Sequence, residues 1–251
     1  MIFYFSGTGN SKHIAEKLSR MSGERFVFMS ENTMVENETY EISEKESIGF
    51  IFPVYWYCIP TLVEKFIKQL KVSGYKKQYT YAIATYGIAA GNIMDRLREI
   101  LNQKQIKLNG IFGVKMVDNY VIGYNIAKEE AQRETMRNAE EEIDRIISMI
   151  KNHTTKQYIK RGPIAFLTPI TAFAYRKTDH TKKFYVTPAC NGCGQCAKGC
   201  PCNAIHLKNE KPQWSGECTF CLKCLHNCKQ KAVQYGKNTE KRNRYQYGRL
   251  S

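Results

Sequence analysis

Apolar positions in the first 150 residues switch between two periods. Residues 1–5 form an unbroken apolar run that ends at a turn containing Gly7. Over 11–21 the spacing lengthens, with Ile14, Ala15 and Leu18 on one side, which predicts a helix. Residues 25–29 and 47–52 predict a second and a third strand. Leu62, Val63, Phe66, Ile67 and Leu70 recur at helical intervals, 79–85 reads as a fourth strand, and Ile93, Met94, Leu97, Ile100 and Leu101 mark another helix. A fifth strand is expected over 111–117. Residues 127–150 predict a long helix that buries Met136, Ala139, Ile143, Ile146, Ile147 and Ile150, with Glu129/Arg133 and Glu141/Arg145 as i,i+4 pairs on its wet side. Strands alternating with helices make a parallel sheet covered on both faces. The expectation for 1–150 is therefore an α/β domain, doubly wound on a five-stranded parallel sheet. Between 30 and 47 the pattern fails, and the acidic stretch of Glu31, Glu36, Glu38, Glu41, Glu44 and Glu46 reads as a loop or an irregular short helix.

Charge then divides the chain. Residues 1–150 hold 19 Lys and Arg against 19 Asp and Glu, whereas the remainder holds 19 against 4, so the whole +15 excess lies after residue 150. This step places a boundary near 151. Residues 151–187 read as a connector whose apolar patch, 164–174, is expected to pack between the two halves. That patch is interrupted by Pro169 and is too short to cross a bilayer. Residues 237–251 form a polar, basic tail expected to pack weakly. No positive segment or cleavage site precedes the first strand, so no signal peptide is expected and the chain is read as cytosolic. Ten cysteines in that setting point to metal, not disulfides.

Eight of the ten fall into one spacing used twice. Cys190-x-x-Cys193-x-x-Cys196-x-x-x-Cys200 is followed by Pro201, and Cys218-x-x-Cys221-x-x-Cys224-x-x-x-Cys228 begins 28 residues later. The runs resemble the ligand pattern of a two-cluster bacterial ferredoxin, and that resemblance implies two [4Fe–4S] clusters in which the fourth cysteine of each run crosses to the other cluster. One cluster would take Cys190, Cys193, Cys196 and Cys228, and the other Cys218, Cys221, Cys224 and Cys200. Two zinc knuckles are the competing reading, but zinc sites usually separate their CxxC pairs by a longer spacer. Cys202 and Cys58 are read as packing residues, Trp214 as the cap of the small core, and His226 as a surface or supporting residue.

The first strand runs into Ser6, Gly7, Thr8, Gly9, Asn10 and Ser11, after which a helix begins. Small residues at a strand-to-helix junction leave backbone N–H groups free beside the positive end of the helix, which suits a phosphate monoester without Lys or Arg. Taken alone, Gly-Thr-Gly fits a capped tight turn equally well. Two further loops sit at strand carboxyl ends, where open sheets bind ligands. Pro53, Val54, Tyr55, Trp56 and Tyr57 put three consecutive aromatics in a loop, which want a flat partner such as an isoalloxazine ring. Tyr86, Gly87, Gly91 and Asn92 bracket a loop of small residues that offers backbone amides to a ring edge.

On these motifs residues 1–150 resemble a flavodoxin and residues 188–236 a two-cluster bacterial ferredoxin. The whole chain is similar to single-chain flavodoxin–ferredoxin fusions, including Pro53-Val54-Tyr55, Asp118-Asn119-Tyr120 and Arg244-Tyr245. The resemblance implies a flavodoxin-like fold joined to a small α+β ferredoxin-like domain, FMN held also by Asn119, and two [4Fe–4S] clusters. Cys58 stands where relatives commonly have Gly near the flavin, and Lys229 follows the second run where Pro is usual. The implied function is electron transfer between the clusters, FMN and a redox partner. A flavin-dependent reductase of a small or macromolecular substrate, fed by the clusters, is the alternative, and a nucleic-acid-binding protein with structural clusters a lesser one. No acid–base set and no Gly-x-Gly-x-x-Gly fingerprint point to NAD(P)H oxidation. The basic residues are scattered, without an aromatic stripe, so an acidic redox protein or low-potential oxidoreductase is expected as partner, not nucleic acid.

Overall fold

The computed structural model describes residues 1–35, 38–163 and 165–249. The sheet domain runs β1 (Ile2–Tyr4), α1 (Asn10–Ser22), β2 (Phe26–Phe28), α2 (Glu31–Val35), β3 (Thr39–Glu41), β4 (Ile48–Pro53), α3 (Thr61–Gln69), β5 (Lys71–Ser73), β6 (Thr80–Tyr86), α4 (Ile93–Gln103), β7 (Gly110–Lys115), α5 (Glu129–Lys151) and β8 (Gln157–Tyr158). Its central sheet has the order β2-β1-β4-β6-β7-β8, and every pairing is parallel. Without β8 this is the doubly wound order 2-1-3-4-5, with its switch point between β1 and β4.

Both faces of the sheet are buried, as continuous apolar strands require. Phe3, Phe5, Phe50, Phe52, Ala82 and Ala84 meet Leu62, Val63, Phe66, Ile93, Leu97 and Leu101 of α3 and α4 on one face. On the other, Ile2, Tyr4, Ile51, Ile83, Phe112 and Val114 meet Ile14, Ala15 and Leu18 of α1 and Ala139, Ile143, Ile146 and Ile150 of α5. The alternation along each strand decides which residue faces which helix pair.

The sheet has six strands, not the five expected. The sixth, β8, is a two-residue edge strand in the connector that pairs with Ile111 and Phe112, and it is too short to show a period. The acidic stretch after β2 holds the short α2 and β3, which pairs with β5 in a separate two-stranded sheet. Glu36 and residue 37 lie outside the described residues.

The connector continues through a 3-10 turn (Ala165–Leu167) into α6 (Thr168–Lys177). Its patch does not pack between the halves as a whole. Ala172 and Tyr175 face inward, while Phe166, Ile170 and Phe173 are about two-thirds exposed or more. Successive helical positions point in different directions, so an apolar run cannot bury all its members against one neighbour. Ile164 lies outside the described residues.

The last part comprises β9 (Phe184–Val186), α7 (Gln195–Lys198), β10 (Ile205–Lys208), β11 (Lys211–Trp214), α8 (Lys223–His226) and β12 (Val233–Tyr235). The 28-residue shift between the cysteine runs carries α7 onto α8 and β9 onto the end of β11. β9 pairs antiparallel with β12, and β10 with β11, so each repeat lends a strand to the other. A third apolar cluster joins this unit to the sheet domain: Val117, Val121 and Ile126 pack with Ala172, Tyr175, Phe220, Leu222, Leu225, Val233, Tyr235 and Tyr245.

The tail does not pack weakly. Tyr245 is 1% exposed, its hydroxyl donates to Asn10 Oδ1 at 2.7 Å, and Tyr247 N–H donates to Thr8 O at 2.8 Å. Arg244 ties the tail back to Val233 O and Gln234 Oε1. Polar composition hid two aromatic anchors. Residues 250 and 251 lie outside the described residues. Among the described residues no helix is long and apolar enough to cross a membrane.

Candidate functional site

The Ser6–Ser11 junction forms where β1 ends and α1 begins. Gly9 takes φ 107°, open to glycine and strained for other residues, and Ser6 Oγ accepts its N–H at 3.0 Å. The amides of Gly7, Thr8, Asn10 and Ser11 make no hydrogen bond among the described residues. They stand at the positive end of a 13-residue helix, the arrangement an anion needs. The side chains are held to β6 and to the loop after β7: Ser11 Oγ pairs with Thr85 Oγ1 at 2.8 Å, Asn10 Nδ2 donates to Val117 O at 3.0 Å, and Asn119 Nδ2 donates to Thr8 Oγ1 at 2.8 Å. A hollow beside the loop is lined by Ser6, Gly7, Thr8, Gly9 and Lys12, and also by Lys223, Asn227, Gln246 and Tyr247. Two lysines therefore stand at a loop expected to work without them.

A second cavity, of about 410 Å³, lies at the carboxyl ends of β4, β6 and β7. Val54, Tyr55, Trp56, Tyr57, Tyr86, Gly87, Asp118, Asn119, Tyr120 and Tyr124 line it, together with Thr171, Phe220 and Leu222. The aromatic loop is a tight turn: Tyr55 and Cys58 exchange backbone hydrogen bonds at 3.1 and 2.7 Å. Trp56 and Tyr57 between them take φ 51° and 59°. Bulky residues there store strain of order 1–3 kcal/mol each, a pattern that clusters at ligand sites. A side chain at Gly87 would run into the Asp118 carboxylate, which accepts from Tyr124 Oη at 2.5 Å. Pro53 ends β4 and does not line the cavity.

Gly91 and Asn92 do not line it either. Gly91 N–H donates to Arg161 O at 2.9 Å, Asn92 N–H to Thr168 Oγ1 at 3.1 Å, and Asn92 Nδ2 to Ala165 O at 3.0 Å. The connector has taken the amides expected to face a ring. Cys58 is buried against the same connector, with its thiol near Trp56 O and Thr171 Oγ1. Burial pushes that thiol's pKa up.

The eight run cysteines separate into two groups. Cys196 feels the charges of Cys228 and Cys190, and these three line one cavity of about 550 Å³ with Cys193 and Cys224. Cys218, Cys221 and Cys224 interact with one another and with Cys200. Burial pushes Cys218 up to about 12 and Cys221 to about 11, and it raises Cys224 as well. A proton is the cheap occupant of such buried thiols unless a cation replaces it. Cys202 lies beside the second group, feeling Cys221, Cys218 and Cys200. The buried Trp214 indole N–H points toward the Cys224 thiol, and its hydrogen bond offsets part of the rise that burial causes there. Trp214 stacks on Phe184, ring centroids 5.1 Å apart.

Among the described residues no three His, Cys, Asp or Glu side chains gather as the holder of a single metal ion. A cubane attaches each thiolate to a different iron, so its four sulfurs stand wider apart than the donors of one ion. Cys190, Cys193, Cys196 and Cys228 around one cavity, and Cys218, Cys221, Cys224 and Cys200 beside one another, fit that larger group. For a flavin, the fit is an aromatic-walled cavity beside a loop of free amides. The Tyr55 hydroxyl is also buried there without a partner.

The groups adjoin. Phe220 and Leu222 flank Cys221 in sequence and wall the aromatic cavity. A Cβ on Gly7 would stand 2.6 Å from the Cys221 carbonyl and 2.9 Å from Tyr55 Oη. His226 is buried, not at the surface. Its Nε2 faces Asn119 O at 2.9 Å, and its Nδ1 accepts from Tyr245 N–H at 3.1 Å. Burial lowers its pKa to about 4, so at neutral pH the uncharged ring joins the cysteine unit to the Asn119 loop and the tail.

No family model and no curated protein matches the chain. Among solved structures it is similar to the Trp repressor binding protein from Bacillus subtilis, at 16% identity over 46% of this chain and 84% of that one, with a TM-score of 0.33. It is also similar to rubredoxin oxygen:oxidoreductase from Desulfovibrio gigas, at 15% identity over 57% of this chain and 35% of that one, with a TM-score of 0.34. Values this low leave function to the chain's own residues.

Proposed function

We propose that the chain is an electron-transfer flavo-iron–sulfur protein. In this reading residues 1–150 are a flavodoxin-like FMN domain, 188–236 a ferredoxin-like domain with two [4Fe–4S] clusters, 151–187 their connector and 237–251 a tail over the phosphate loop. The observation that carries it is adjacency: Phe220 and Leu222, which flank Cys221 of the second thiol group, line the aromatic cavity.

FMN supplies storage for one or two electrons and each cubane supplies one-electron transfer. The residues do the rest. Free amides of Gly7, Thr8, Asn10 and Ser11 hold the phosphate, with Lys12 and Lys223 adding charge. Tyr55, Trp56, Tyr57 and Tyr120 hold the ring and exclude water. Cys190, Cys193, Cys196 and Cys228 hold one cluster, and Cys218, Cys221, Cys224 and Cys200 the other. Trp214 offers a hydrogen bond toward Cys224, where it would stabilise negative charge on sulfur.

Purification without oxygen tests the reading, followed by iron, sulfide and flavin counts and a visible spectrum before and after dithionite. The expected result is about eight irons, eight sulfides and one flavin per chain, released by heat as FMN. FAD as the main species, zinc in place of iron, or no flavin after reconstitution would overturn it.

A further inference from the structure

We propose that the face around the first cysteine run is the docking port for an acidic one-electron carrier protein, and that the second run is an internal relay. The inference rests on the cofactor reading above.

Two runs of one spacing sit in opposite surroundings. Between its cysteines the second run carries Thr219, Phe220, Leu222 and Leu225, all buried, and it abuts both the aromatic cavity and Gly7. The first run carries Asn191, Gly192, Gly194 and Gln195, and Cys193 is exposed. Electron tunnelling weakens steeply with distance. A protein too large to enter the aromatic cavity therefore reaches this chain's redox groups most closely at Cys193.

Charge at that face selects the partner. Lys198, Lys229 and Lys231 are exposed and make no ion pair among the described residues. Lys211 donates to Cys190 O at 2.6 Å, and Arg244 and Arg249 line the adjoining hollow beside Cys228. Among the described residues, Glu210 is the single carboxylate lining the first-run cavity. Unneutralised cations around a redox edge steer an acidic surface onto it. If the first run holds its cluster, each encounter with the reduced carrier, which loses one electron, would give that cluster one electron, and the second run's cluster would relay it toward the flavin. Two encounters and two protons from water complete a two-electron flavin reduction.

The probe is a plant-type [2Fe–2S] ferredoxin, an acidic one-electron carrier. Its oxidised form is titrated calorimetrically into wild-type holoprotein, into the triple variant Lys198→Glu/Lys229→Glu/Lys231→Glu, and into Lys71→Glu/Lys77→Glu/Lys107→Glu, which makes the same charge change elsewhere. The port predicts a Kd raised roughly tenfold or more in the first triple variant, with a shallower salt dependence, and less than about threefold in the second. Equal weakening in both, no weakening in the first, or no binding by loaded wild type would overturn it. A second arm uses Cys193→Ala, expected to lose about half its iron and to keep its flavin. Reduced ferredoxin should then bleach that flavin far more slowly than in wild type. Undiminished bleaching overturns the relay order, and if this variant does not fold the lysine sets decide. Wild type without iron or flavin overturns the cofactor reading instead, which the counts establish before any titration.

Discussion

Glu64 offers a quantitative test of how the connector is fixed to the sheet domain. Its side chain is 7% exposed and accepts from three cations: Lys68 at 2.9 Å, Arg96 at 2.6 Å and Arg176 of α6 at 2.8 Å. Burial alone would raise its pKa, but the three hydrogen-bonded cations overcome that and bring it to about 2. Against an ordinary value of 4.5, at 1.36 kcal/mol per unit, the native state gains ~3 kcal/mol. The three cations are themselves 38–49% exposed, so solvent screening reduces this to about 2 kcal/mol. The folded-state pKa is depressed, so this stability is fully present above pH 4.5 and is lost as pH falls towards 2. Glu64→Gln should therefore cost about 2 kcal/mol at pH 7, or roughly 4–8 °C in Tm for a chain of this size. The gap to wild type should narrow by about a quarter at pH 4. Anaerobic thermal and urea unfolding of loaded protein measures both. A cost under ~0.5 kcal/mol, or a gap that does not change with pH, would refute the reasoning.

Three other substitutions probe the site. Gly9→Ala would place its Cβ 2.8 Å from Tyr247 Cβ at φ 107°; it should loosen the tail, speed hydrogen exchange at Tyr247 N–H and weaken flavin binding, and unchanged exchange would count against the strap. Tyr57→Asn relieves a left-handed φ of 59°, so stability should hold within ~0.5 kcal/mol or rise while flavin affinity falls; a loss above ~1 kcal/mol would mark Tyr57 as core. Cys221→Ala should halve the iron and sulfide while Cys202→Ser leaves both intact; the opposite result would make Cys202 the ligand.

The doubly wound core was legible because continuous apolar strands and 3.6-period helices are local signals. β8 was not, since two residues show no period. The inward face of α6 was hidden because Ala172 and Tyr175 share a run with Phe166, Ile170 and Phe173, and only tertiary packing separates them. The loops at 6–11 and 54–57 could be placed from glycines and aromatics at strand ends, and 118–120 only through the family resemblance. Gly91 and Asn92 could not, because a connector 70 residues away takes their hydrogen-bonding groups. Phe220, Leu222, Lys223 and Tyr247 were missed. One signal for them was present: the second run fills its gaps with Thr219, Phe220, Leu222 and Leu225 where the first uses Asn191, Gly192, Gly194 and Ala197. Bulky apolar residues between ligands mark a run that faces protein, not water.

Wiring within one molecule is the central claim, and a dilution series under rapid mixing tests it most directly. The clusters are reduced chemically and flavin bleaching is followed at several protein concentrations. Phe220 and Leu222, which flank Cys221 of the second thiol group, line the aromatic cavity in a single shared core, so the predicted bleaching rate constant does not change with dilution. A rate proportional to protein concentration would mean that the groups meet only between molecules, and would contradict the account.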